Sequence, residues 1–136
     1  MKSTSRRLNE APPRPDRVAT GQEEQARRFY SDALGLTEVA KPPDLAGRGG
    51  CWFRHLDGEI TTLEIHLGVE EPFTPAKKAH PAILVDSVQG LQDLGDRIEQ
   101  AGFEVSWAER STFAGYERFH CKDPFGNRIE VMAAAT

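Results

Sequence analysis

The sequence predicts an α+β fold: two βαβββ modules forming one cup-shaped mixed sheet, with the helices on its outer face. Two observations carry this. The order strand, helix, three strands can be read twice along the 136 residues. The helix ends also repeat, because Leu34-Gly35-Leu36 runs on to Glu38-Val39 just as Ala101-Gly102-Phe103 runs on to Glu104-Val105, with the two glycines 67 positions apart. Glu64 and Glu130, each in the last strand of its half, recur at a spacing of 66. Equivalent residues of such a repeat face each other across a pseudo-twofold axis, a natural place for a shared site.

Residues 1–16 hold three of the nine prolines and no hydrophobic period, and they read as a flexible arm. One domain is expected over 17–136, with modules at about 17–72 and 80–134 and a short edge strand near Arg17–Thr20. After Gly21, the apolar residues Ala26, Phe29, Tyr30, Ala33 and Leu34 follow helical spacing, with Glu23 and Glu24 in the first turn and Gly35 as the stop. Strands follow at Leu36–Val39, Cys51–His55 and Glu59–Val69, the last two joined by the hairpin signal Asp57-Gly58. Residues 70–79 carry two prolines and read as a linker. The second module opens with a strand at Pro81–Val85. Its helix, capped by Asp86 or Ser87, carries the stripe Val88, Leu91, Leu94, Ile98, Ala101 and stops at Gly102. Strands at Phe103–Trp107, Tyr116–Lys122 and Asn127–Met132 complete it, the last two joined by the turn Asp123-Pro124-Phe125-Gly126.

Seventeen Lys and Arg against twenty-one Asp and Glu give a net charge of -4, which supplies no basic field for a nucleic-acid backbone or an anionic membrane. No apolar run approaches the ~20 residues of a membrane span, and no signal-peptide core opens the chain, so the expected location is cytoplasmic. Cys51 and Cys121 have neither metal-ligand nor redox spacing and read as buried or half-buried thiols.

Strand parity then selects the polar residues that share a face. Ile129 and Val131 turn to the helices, leaving Arg128 and Glu130 on the opposite face. Leu63, Ile65 and Leu67 likewise leave Glu64 and His66 together. His80 opens the strand of Ile83 and Val85. Two carboxylates and an imidazole can thus line one cavity wall, with Arg118 and His120 of matching parity in the preceding strand. Arg118 and Arg128 suit an anionic substrate group, or ion pairs with the two glutamates.

The stretch Ala26-Arg-Arg-Phe-Tyr-Ser-Asp-Ala-Leu-Gly-Leu36, the strand His80-Pro-Ala-Ile-Leu-Val85 and the closing Asp123-Pro-Phe-Gly-Asn-Arg-Ile-Glu130 together resemble the vicinal oxygen chelate superfamily. That group includes glyoxalase I, fosfomycin-resistance transferases, extradiol dioxygenases and bleomycin-binding proteins. The resemblance spans about Val18 to Ala133 and implies a glyoxalase-like fold and a homodimer. It also implies a divalent metal, Zn, Ni, Mn or Fe(II), with His80 and Glu130 at two ligand positions and Glu64 as a third ligand or a base. Imidazole and carboxylate suit those ions, and open metal positions can chelate two neighbouring substrate oxygens. His120 lies where the extradiol branch supplies a pocket acid/base residue. One departure stands out: the family's first-strand histidine falls in the window Pro13-Arg14-Pro15, and no histidine precedes His55. Glu10, Asp16 or Glu64 would have to complete the set, or no cofactor is held at all. Two functional classes follow. One is a metal-dependent lyase, isomerase, transferase or dioxygenase acting on a small oxygen-chelating substrate. The other is a metal-free small-molecule binder similar to the bleomycin-sequestering members, with a catalytically silent relative as a third reading.

Overall fold

A computed structural model of the chain describes residues 22–135. The contacts divide it into two compact units, Met1–Phe73 and Thr74–Thr136. The arm at 1–16 and the edge strand expected near Arg17–Thr20 lie outside the described residues.

In the first unit, helix α1 (22–33) buries every residue of its predicted stripe: Ala26, Phe29, Tyr30, Ala33 and Leu34. Its second part, Arg27–Ala33, takes the wider π winding, which the apolar spacing did not signal. The amide of Leu34 donates to the Phe29 carbonyl at 2.8 Å, five residues back, and Tyr30 stacks on Phe53 with ring centroids 5.3 Å apart. A three-stranded antiparallel sheet follows, in the order β1 (Thr37–Val39), β2 (Cys51–Asp57), β3 (Ile60–Leu67). The Asp57-Gly58 turn joins β2 to β3 as predicted. Its register places Arg54 opposite Glu64 and Trp52 opposite His66.

The second unit has the predicted βαβββ order: β4 (Ala82–Leu84), α2 (Val88–Gln100), β5 (Val105–Ser106), β6 (Tyr116–Lys122), β7 (Arg128–Ala134). The sheet order is β4-β7-β6-β5, with β4 parallel to β7 and the other pairs antiparallel. Ser87 caps α2, its hydroxyl accepting from the Gly90 amide at 2.9 Å. Leu91, Leu94 and Ile98 are buried beneath it. Both helices end at a glycine with positive φ, Gly35 at 87° and Gly102 at 95°, which explains why the repeated Gly marks both stops. The strand expected over Phe103–Trp107 shrinks to two residues because both its ends are used elsewhere. The Phe103 amide closes α2 on the Ile98 carbonyl, and the Trp107 carbonyl accepts from Arg110 in a turn.

The turn after β6 is built by Asp123. One carboxylate oxygen accepts from the Phe125 and Asn127 amides at 2.9 and 2.8 Å, and the other from the Asn127 side chain at 2.8 Å. This pins β6 against β7 so that His120 lies opposite Glu130. Asn127 also hooks the preceding linker: the Ala76 amide donates to Asn127 Oδ1 at 2.9 Å, and the Arg128 amide donates to the Ala76 carbonyl at 2.8 Å. The Pro81 carbonyl then accepts from the Glu130 amide at 3.0 Å, which lays β4 beside β7. Among the described residues, no helix is long and apolar enough to cross a membrane. Both cysteines are free and buried.

Candidate metal centre

Three side chains converge on the β4–β7–β6 face of the second unit. Glu130, at 4% exposure, lies in the central strand β7; His120, at 8%, lies opposite it on β6; His80 reaches it from the residue before Pro81. One ligand atom from each of His80, His120 and Glu130 falls within 4.8 Å of the others. His80 Nε2 is 3.0 Å from Glu130 Oε1 and His120 Nε2 is 3.3 Å from the same oxygen.

The hydrogen bonding around these atoms is informative. His80 Nδ1 lies 2.7 Å from the Lys78 carbonyl, which can only accept, so this ring nitrogen carries a proton. A neutral His80 therefore turns the lone pair of Nε2 toward the Glu130 carboxylate, and only an imidazolium can donate to both sides. A backbone carbonyl holding the far nitrogen of an imidazole is the arrangement usual for metal-bound histidines. His120 Nε2, despite its short distance to Glu130, has an approach angle that makes no hydrogen bond and, among the described residues, is a buried nitrogen without a hydrogen-bond partner. Such an orphaned atom is costly in a protein interior. Two imidazole nitrogens, each separated from one carboxylate oxygen by about the edge length that bonds of ~2.1 Å to a shared ion produce, make a donor set that suits a borderline divalent metal.

Electrostatics favour an ionised Glu130 and a neutral His120. Burial alone would raise the Glu130 carboxyl, but hydrogen bonds from His80 and Arg118, with the charges of Arg118 and His120, outweigh it and hold Glu130 below its ordinary value. Burial, then the charge of Arg128, lowers His120 and favours its neutral ring, against the opposing pull of Glu130.

The other sequence-predicted residues take different positions. Arg118 Nη1 donates to both Glu130 oxygens at 3.3 Å, while its Nε meets the Glu109 carbonyl at 3.2 Å and its Nη2 the Thr112 hydroxyl at 2.8 Å. It is thus the ion-pair partner of a glutamate that parity allowed. Arg128 acts on His120 through its charge. Glu64 belongs to the first unit, where Arg54 Nε and His66 Nε2 take its two oxygens at 3.0 and 2.8 Å, and hydrogen bonds from His66 and then Arg54 lower its carboxyl. His66 stacks on Trp52 with centroids 3.6 Å apart. Glu10 and Asp16 lie outside the described residues. Sequence reasoning gave His120 an acid/base role, and the structure brings it into one cluster with His80 and Glu130. A hairpin centred on Phe125 pairs residue 120 with residue 130, and that count was the available signal.

The Glyoxalase/Bleomycin resistance protein/Dioxygenase superfamily model matches residues 16–131. The chain belongs to this superfamily. A crystal structure of a glyoxalase family protein from Bacillus anthracis shares 41% identity with a TM-score of 0.71, covering 85% of this chain and 86% of that one. A glyoxalase/dioxygenase from Nostoc punctiforme, at 21% identity, TM-score 0.64 and 84% of each chain, shares the fold. So does the antibiotic binding protein TnmS3 from Streptomyces sp. CB03234, at 20% identity and TM-score 0.59, over 82% of this chain and 86% of that one. No protein of curated function is significantly similar to the chain. Within this superfamily fold, the closing Asp-Pro-Phe-Gly-Asn motif has a structural task here. It builds the turn that sets His120 against Glu130 and hooks the segment leading to His80.

Proposed function

We propose that this superfamily member is a divalent-metal-dependent enzyme acting on a small molecule with two adjacent oxygens, with His80, His120 and Glu130 as the metal ligands. The observation that carries the reading is the buried His120 Nε2, which has no hydrogen-bond partner among the described residues and lies 3.3 Å from the carboxylate oxygen that His80 Nε2 also approaches. Two histidines and one carboxylate are the donor set of non-haem Fe(II) oxygenases and of catalytic zinc sites, so dioxygenase and lyase or isomerase chemistry lead the candidates. When bound, the ion supplies Lewis-acid polarisation of the substrate oxygens. The residues of the chain do the rest. The Lys78 carbonyl orients His80, the Asp123 turn holds His120 in register, and Arg118 balances the charge of Glu130 in the ion-free chain. Glu64, in its pair with His66, remains a candidate base rather than a ligand, because Arg54 and His66 already occupy both its oxygens. A single domain over 17–136 and a homodimer complete the proposal, the latter tested by light scattering on the purified chain.

The test is a metal count. Untagged protein is equilibrated in turn with Zn, Ni, Mn and Fe(II), freed of excess ion, and analysed for elements. About one ion per chain, lost in both His80→Ala and His120→Ala, is expected. No retained ion in the wild-type chain defeats the metalloenzyme reading. The second reading, a metal-free binder, is favoured by one observation: Arg118 already balances the charge of Glu130.

A further inference from the structure

We propose that Arg118 is the counter-ion a divalent metal must displace from Glu130, and that this residue thereby sets the metal affinity of the site; the inference rests on the metal reading above. Glu130 carries the only carboxylate in the ligand group, and Arg118 touches both of its oxygens. That contact is made by a single nitrogen at 3.3 Å, not by the two parallel bonds that make an arginine–carboxylate pair strong. The firmer anchors lie on the other side of the guanidinium. Thr112 Oγ1 accepts from Nη2 at 2.8 Å, and the Glu109 carbonyl accepts from Nε. Phe113 lies beneath, its ring centroid 5.5 Å from the guanidinium carbon. Arg118 can therefore release Glu130 without leaving its seat on the 109–113 loop.

Two consequences follow from charge. In the metal-free chain Arg118 neutralises a carboxylate that burial would otherwise penalise, so the ion-free site is held at low cost. In the metal-bound chain the same guanidinium stays beside a divalent ion, and like charges at close range in a partly buried site repel. Both effects act against metal binding. A purely structural ion pair predicts the opposite, since removing it would loosen the ligand and weaken binding.

The experiment is calorimetric titration of the full chain with Zn(II) alone, for the wild type, Arg118→Gln, Arg118→Lys and His120→Ala, with thermal unfolding of each ion-free protein. Arg118→Gln keeps a donor for Thr112 and Glu130 but removes the charge. It is expected to bind one ion roughly 10–100-fold more tightly, the range over which residues around a metal's ligands shift affinity. Arg118→Lys should stay near the wild type, and ion-free Arg118→Gln should melt lower and gain more on adding Zn(II). If the wild type binds one ion and Arg118→Gln binds it no more tightly, this inference is overturned and the metal reading stands. Binding to Arg118→Gln but not to the wild type defeats the metalloenzyme reading while leaving Arg118 as the group that bars the ion, and binding to neither overturns both. If Arg118→Gln does not fold, the Nε–H resonance of Arg118 in the wild type decides: it must shift as Zn(II) saturates the site, and an unmoved resonance overturns the inference.

Discussion

Glu130 owes its ionised state to its neighbours. Because His80 and Arg118 together outweigh the cost of burial, its folded-state value lies below the unfolded one. The stability this contributes is present above the unfolded carboxyl value of about 4.3 and is lost as pH falls through the folded value. Urea unfolding followed between about pH 3 and pH 7 should therefore show an acid limb that flattens in Glu130→Gln. Burial pushes the Cys51 thiol up to about 11, aided by the charges of Glu38 and Glu23, and the Cys121 thiol up to about 12, aided by Asp123. Their neutral forms stabilise the fold fully below the ordinary thiol value of about 8.5, and that contribution disappears as pH rises through 11 to 12. Alkylation by iodoacetamide at about pH 8 should leave both thiols intact until the protein is unfolded. Rapid modification of the folded chain would contradict their burial.

Elements were more legible in the sequence than the site. Apolar spacing located both helices, with their stripes and glycine stops, since burial needs a face and a face needs a period. Strand ends were less legible because hydrogen bonds outside the sheet decided them, as the capping role of Phe103 shows for β5. The cluster was partly visible: parity placed His80, His120 and Glu130 on one side, but bringing His120 directly opposite Glu130 required the register that Asp123 imposes. That register is testable. Asp123→Ala removes three hydrogen bonds from a buried carboxylate and should cost about 2–4 kcal/mol in chemical denaturation. The α2–sheet contact makes a second test, because a Cβ at Gly95 would sit 2.6 Å from Trp107 Cζ2. Gly95→Ala should destabilise the chain by about 1–3 kcal/mol through overpacking, despite the better helix propensity of alanine.

At the scale of the molecule, the internal repeat keeps the glycine helix stops and the position of the glutamate but diverges in chemistry. The spacing that relates Glu64 to Glu130 also relates Arg54 to His120, so one module answers its glutamate with a guanidinium and the other with an imidazole. Within its own unit, Glu64 is bonded by Arg54 and His66, whereas Glu130 is bonded by His80 and Arg118 and has the His120 nitrogen beside it. His66→Ala and Arg54→Ala should accordingly leave the metal count per chain unchanged, whereas His80→Ala abolishes it, as elemental analysis will show.

The two-way hook on Ala76, its amide to the Asn127 side chain and its carbonyl from the Arg128 amide, gives the chain a fixed point just ahead of His80. The stretch between that knot and His80 has a set length, whereas residues 70–74 lie ahead of the knot. Two glycines inserted at 70–74 should be absorbed as slack, with metal uptake retained. The same two placed between Ala76 and His80 should swing the imidazole out of reach of Glu130. The linker thus has a tolerant stretch and an intolerant one, and the boundary between them falls at a single asparagine side chain.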